Sequence, residues 1–373
     1  MLRGVFYRWQ DRKMWVDEGS ARTMFKIYSK TVDGSLIDDA GKTIFFSFEK
    51  FKEEICKKGH CFVCGTKPHK AFNDEHVIPD WIQRQCRIQK EGLDLPNGQK
   101  VTYGTYKIAC CSECNSLLGD VYETPISKVV KGGQEAVIEF VQNGGRQLFC
   151  GWLTLIFLKV HLRDFRNRVS LDLREPTEFI GDSYELHELH HIHAVARAVT
   201  AGVEIDPDVL GTLVVLDVAS LEEAFDYCDN LSGRTLLLQV NGTAFVYVID
   251  DCGATSTMLQ DQLKVLPHPL NRIQVREVYA RYLTANMHIA SMPTFGTIVS
   301  GETGQPRITV DLPEFKAHDF DPTLFGAMFR GSLANLAPLV EVDGKLGEAA
   351  IELIATGRVS ALVDDHGNPR NST

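Results

Sequence analysis

Cys61-Phe-Val-Cys64, then Asn73-Asp-Glu75-His76-Val-Ile-Pro79-Asp-Trp81, then Cys111-Ser-Glu-Cys114-Asn115: two C-x-x-C knuckles separated by 46 residues enclose an acid-histidine pair. A two-residue gap lets both sulfurs of a knuckle turn toward one point, and four thiolates are the donor set that tetrahedral Zn²⁺ takes at about 2.3 Å. The 46 residues are enough for a hairpin and loops that bring the second knuckle back to the first. Because the protein would fill all four positions, such a zinc is structural, and it substitutes for the core that this polar segment lacks. Chance cysteines or a disulfide pair are the alternatives, and a reducing compartment disfavours the second.

The other cysteines fit a ligand role less well. Seven of the ten fall between positions 56 and 114. Cys110 breaks the two-residue gap to Cys114, and Cys56 and Cys86 lack a partner at that spacing. All three are read as non-ligands, as are His60 and His69 beside the first knuckle. Cys150, Cys228 and Cys252 stand singly in apolar surroundings, as small core residues do.

The chain around this segment has 373 residues, 44% of them apolar, and a net charge of −10. It can bury a full core, and collagen, coiled-coil and low-complexity classes are excluded. The charge is uneven. Residues 1–150 carry 22 Lys and Arg against 19 acids (net +3), which leaves 17 against 30 (net −13) for residues 151–373. A uniformly basic, DNA-coating protein is excluded, whereas a nucleic-acid site in the first half is not. Residues 1–15 interrupt every short apolar run with Arg, Lys or Asp, so no signal peptide is read and a cytoplasmic location is expected. The longest apolar run, residues 148–158 (LFCGWLTLIFL), ends at Lys159 and is about half of what a bilayer requires. It predicts a buried helix.

Residues 24–48 alternate around Asp33-Gly34 and predict a hairpin, followed by a short helix with Phe48, Phe51 and Ile55 on one face. From Cys61 to Gly104 the sequence is loop-rich. Leu117, Leu118, Val121 and Tyr122 predict a helix from Ser112 that stops at Pro125, and a Gly-rich stretch follows to Gly145. Beyond it, helices are expected over residues 146–166 and 182–201. Strands are expected over 213–218, 235–240 and 243–249, the last two joined by Asn241-Gly242. Residues 295–299 and 307–310 read as strands, and 324–336 as a helix. The expected fold class is therefore α+β: a small zinc domain over residues 1–145, followed by a larger mixed α+β domain over 146–373 that regulates or assembles it.

The knuckles with the acid-histidine pair resemble the HNH endonuclease superfamily, the ββα-metal (treble-clef) nucleases, in its branch with two C-x-x-C motifs; the resemblance covers residues 61–123. It implies an endonuclease. In that family the acid before the histidine, here Glu75, helps hold a catalytic divalent cation. The histidine, here His76, is the general base that activates water, and Pro79 fits the turn out of the first strand. Asn115 stands where a His or Asn follows the second knuckle. The family's middle Asn has no counterpart between Tyr103 and Ala109, and Glu replaces the commoner Asp before the histidine.

Phosphodiester hydrolysis needs a neutral imidazole to take a proton from water and a cation to stabilise charge on the phosphoryl and departing oxygens. Carboxylate and carboxamide oxygens suit Mg²⁺ or Mn²⁺. Asn115, Gly119 and Glu123 follow at i, i+4 and i+8 on one helix face, which makes Glu123 a further candidate ligand. Lys57, Lys58, Lys67, Lys70, Arg84, Arg87, Lys90, Lys100 and Lys107 surround the motif and can neutralise phosphates. The expected partner is nucleic acid, DNA before RNA. By analogy with bacterial restriction and phage-defence nucleases, the larger domain would restrain the enzyme or form a homo-oligomer. Trp81 is read as core, with Tyr103 and Tyr106 as core or stacking residues. The alternative is a non-catalytic zinc module that binds nucleic acid or protein.

One competing motif exists. His187-Glu188-Leu189-His190-His191 matches H-E-x-x-H, the helical zinc site of metalloproteases, with Glu204 as a distant third ligand. The apolar stripe Leu186, Leu189, Ile192, Ala196 and Val199 predicts instead an ordinary half-buried helix with the histidines on its flanks.

Overall fold

The computed structural model describes residues 28–219, 224–263, 266, 269–301, 303–364, 366 and 368–370. The stretch read for a signal peptide and the first residues of the expected hairpin, 24–27, lie outside it. The fold is mixed α+β. Around the Asp33-Gly34 turn, Tyr28–Lys30 and Leu36–Asp38 pair antiparallel, and Thr43–Phe45 adds a third strand.

The larger half centres on a four-stranded antiparallel sheet in the order Phe225–Asn230, Thr235–Val240, Thr243–Val248, Leu213–Asp217. Its hairpin closes at Asn241-Gly242, with Val240 opposite Thr243 and Asn241 in the left-handed region at φ 54°. Helices cover both faces. Leu236, Leu238, Phe245 and Tyr247 face the helix Arg146–Asp164, and Leu237, Val246 and Val248 face the helix Arg272–Met287. Double coverage explains why these strands read as unbroken apolar runs rather than as alternation. Phe225–Asn230 escaped the sequence reading because Asp226, Asp229 and Asn230 break its pattern; Asp226 is buried against Arg276 at 2.5 Å.

Several expectations need correction. The loop-rich segment from Cys61 to Gly104 carries a small hairpin, Gly92–Asp94 with Lys100–Thr102, and also an unexpected helix, Asp80–Cys86. The helix from Ser112 does not stop at Pro125. A wide turn, Gly119–Glu123, carries it into Thr124–Lys131, where Pro125 occupies the start of the new segment and needs no backbone donor. The Gly-rich stretch is also helical over Gly133–Phe140; the chain breaks direction at Asn143 and Gly144 (φ 94°) before the helix Arg146–Asp164 begins. Lys159, which ends the apolar run, lies inside this helix with its side chain fully buried. One apolar cluster runs from Leu36 to Ile308, so the helices after residue 145 pack directly beneath the cysteine-rich segment. Among the described residues no helix is long and apolar enough to cross a membrane.

Candidate metal centre and active site

The first knuckle is a tight turn. The amide of Gly65 donates to the Cys61 carbonyl at 2.8 Å, and the amide of Cys61 to the Thr66 carbonyl at 2.9 Å. Gly65 sits at φ 77°, and a Cβ there would meet the Phe46 ring at 2.8 Å, so glycine is required for both conformation and space. The second knuckle opens the helix Ser112–Leu118, with Cys111 at its N-cap and Cys114 in its first turn, where the helix end favours thiolates. The sulfurs of Cys61, Cys64, Cys111 and Cys114 all lie within 4.8 Å of one another, those of Cys64 and Cys111 at 3.7 Å. Tetrahedral zinc places sulfurs about 3.8 Å apart. Hydrogen bonds from Cys110, Cys114 and Cys64 hold the Cys61 thiol far below its ordinary value. The cluster could therefore hold a metal ion such as zinc. Cys110, whose sulfur is 3.9 Å from that of Cys61, lies beside the four without joining them.

A two-stranded ribbon links the knuckles. Glu75–His76 pairs antiparallel with Lys107–Ile108, Glu75 opposite Ile108 and His76 opposite Lys107. Hydrogen bonds from Asn73 to Cys110 and from Ser112 to Ala71 carry the pairing to the helix start. Strand, strand and helix thus form a ββα unit. The Asn115 side chain closes it by donating Nδ2 to the Asn73 carbonyl at 2.5 Å.

Adjacent residues on a strand point to opposite faces. Glu75 points inward, 8% exposed, where Lys159 Nζ meets its Oε1 at 3.0 Å and also donates to the His76 carbonyl at 2.8 Å. His76 is half-buried on the other face, beside Lys107. Burial and then the Lys107 charge lower its pKa below the usual 6.5, so its imidazole is neutral at neutral pH. Glu123 accepts from Trp81 Nε1 at 2.6 Å, and burial raises its pKa to about 7.

Among the described residues these positions form no ligand cluster of the kind the four cysteines do. Glu75 is paired with an ammonium, Asn115 donates its amide nitrogen to backbone, and a wide turn, Gly119–Glu123, separates Asn115 from Glu123 along the helix. Trp81 stacks near Trp152 at 6.1 Å, as a core residue does.

A folded-state pKa near 7 against an ordinary 4.5 means that Glu123 binds more protons folded than unfolded. Stability should then fall as pH rises from about 4.5 to 7 and stay reduced above. Glu123→Gln, which keeps the acceptor for Trp81, is expected to remove this loss and to gain about 1–3 kcal/mol at pH 8 but little at pH 4.5, as measured by urea unfolding at both pH values.

The H-E-x-x-H reading is overturned by the surroundings of its residues. On the helix Leu186–Ala201, His187 stacks on Phe48 (3.8 Å between centroids) and His191 on Phe295 (3.9 Å). Glu188 accepts from Arg234 at 2.8 Å, and Glu204 pairs with Arg307 at 2.6 Å. His190 and His193 place Nε2 at 2.9 and 2.7 Å from the carbonyls of Phe46 and Phe62. Among the described residues the four cysteines form the sole ligand cluster.

This helix instead holds the knuckle. His193 bonds the carbonyl of Phe62 and Arg197 that of Val63, the two residues between Cys61 and Cys64, and Arg197 also bonds the carbonyls of Ile44 (3.2 Å) and Thr43 (2.8 Å). Arg197, a cation beside the apolar stripe, was the signal for this role. Arg197→Met leaves three buried carbonyls without their donor, and a loss of about 3–6 kcal/mol is expected by urea unfolding. A loss under about 1 kcal/mol would contradict it.

No family model matches this chain, and no curated protein or solved structure matches it.

Proposed function

We propose that this chain is a nuclease that hydrolyses phosphodiester bonds of nucleic acid, DNA first among its substrates. A structural zinc on Cys61, Cys64, Cys111 and Cys114 sets the ββα unit, and His76 is the general base. The observation that carries this reading is the position of His76: accessible on a short ribbon, neutral, and directly opposite Lys107. Cross-strand neighbours on one face have Cβ atoms about 5 Å apart. A phosphate that meets the Lys107 ammonium would therefore present its phosphorus near the imidazole. His76 takes a proton from water as the oxygen attacks, and the Lys107 charge stabilises the phosphoryl oxygens as negative charge builds. The 3′ oxygen leaves in line and takes its proton from solvent water, which gives the 3′-hydroxyl, while His76 returns its proton to solvent.

Asn115, by tethering the helix to the ribbon, keeps the base in register with the knuckle. Residues 146–373 supply the buried faces on which the ribbon rests. Their net charge of −13 opposes loose adhesion of nucleic acid and fits a restraining role, in the manner of a defence or restriction effector.

The test is incubation of zinc-loaded protein with plasmid and single-stranded substrates, with Mg²⁺, Mn²⁺ or EDTA. Cleavage leaving 5′-phosphate and 3′-hydroxyl ends is the expected result. Retention of substrate without cleavage under every condition would make the chain a zinc-structured binding module.

A further inference from the structure

Lys159 is the least expected charge in the molecule. It lies in the helix Arg146–Asp164 among Trp152, Leu155, Ile156, Phe157 and Leu158, all at most 1% exposed, and its own side chain is fully buried. A buried ammonium is costly unless its hydrogens are matched. The matches here are specific: Glu75 Oε1 at 3.0 Å and the His76 carbonyl at 2.8 Å. One side chain therefore holds both members of the acid-histidine pair, one through its carboxylate and the other through its backbone. Glu123 also lies close enough for Lys159 and Glu75 to act on its charge in opposite senses. A dication on Glu75 would have to share a largely buried carboxylate with an ammonium 3.0 Å away, and in low dielectric the two positive charges oppose each other.

We propose that Lys159 is the resident cation of the site: it occupies Glu75 in place of a divalent ion and acts as a positioning residue that fixes the strand carrying His76. Glu75 is then a counter-ion rather than a metal ligand. The positioning role rests on the nuclease reading of His76, whereas the assignment of Glu75 does not.

The experiment compares zinc-loaded full-length wild type with the double variant Glu75→Gln/Lys159→Met, which removes both charges and leaves neither unpaired. Free Mn²⁺ is titrated by electron paramagnetic resonance. Equal numbers of bound Mn²⁺ in the two proteins are expected, and loss of one bound Mn²⁺ in the double variant would overturn the assignment. Cleavage kinetics then test positioning. Lys159→Met, and the double variant where the single variant does not fold, are expected to lower kcat about tenfold or more with KM unchanged within twofold. Unchanged kcat would overturn the positioning role. Should wild type cleave nothing, the nuclease reading and the positioning role fall together, and the Mn²⁺ comparison still decides what Glu75 holds.

Discussion

Substituting serine for Cys114 is expected to abolish zinc binding by the four-cysteine cluster and to loosen the cysteine-rich end of the molecule. The segment from Cys61 to Cys114 has short secondary structure: two-residue strands, a seven-residue helix and long connections. Elements this short depend on the apolar cluster beneath them and on the metal, and a structural zinc is worth about 10–16 kcal/mol in zinc-finger peptides, as much as the whole stability of a typical domain. Metal analysis after dialysis should give about one zinc per wild-type chain and close to none for Cys114→Ser. The melting temperature should drop by roughly 10 °C or more, since each kcal/mol moves it by about 2–4 °C in a domain of this size. Cys110→Ala is the control. Its sulfur is as buried as that of Cys61 and only 3.9 Å from it, yet it lies outside the four, so this variant should keep its zinc. Loss of zinc from Cys110→Ala with retention in Cys114→Ser would reassign the ligands.

What the sequence made legible was what local chemistry decides. Cys61, Cys64, Cys111 and Cys114 could be paired from spacing alone, because the reach of a knuckle is set by two intervening residues. Asn241-Gly242 announced its hairpin because the turn itself demands positive φ. Lys159 was invisible for the opposite reason. Its partner Glu75 is 84 positions away, and nothing local to a lysine that ends an apolar run tells that its ammonium is buried. The histidines of the helix Leu186–Ala201 show the same limit from the other side. Their spacing satisfies a metal motif, but Phe48, Phe295 and the carbonyls of Phe46 and Phe62 claim the rings one by one. Pro125 misled because a wide turn before it resets the hydrogen-bond pattern, so that a helix breaker becomes a helix starter.

The same tertiary contacts change what residues 146–373 mean. Sequence alone suggested an attached regulatory domain, yet Lys159, His193 and Arg197 from that part grip the ribbon and the first knuckle directly. Control exerted there would act on the backbone of His76 and on the metal cluster, with no need for a lid or for a second site.

In the proposed reading His76 is the general base, and His76→Ala tests that most directly. The residue is half-buried, its backbone is held by Lys159 and its strand by Lys107–Ile108, so removal of the imidazole should leave the fold and the bound zinc intact. A positioned general base contributes about 10²–10⁴-fold to rate. The measurement is the rate of phosphodiester cleavage by wild type and His76→Ala at equal protein and equal bound zinc. A fall of about a hundredfold or more in the variant, with substrate retention unchanged, is the expected result. Cleavage at the wild-type rate by zinc-loaded His76→Ala would contradict the assignment of the base and, with it, the proposed active site.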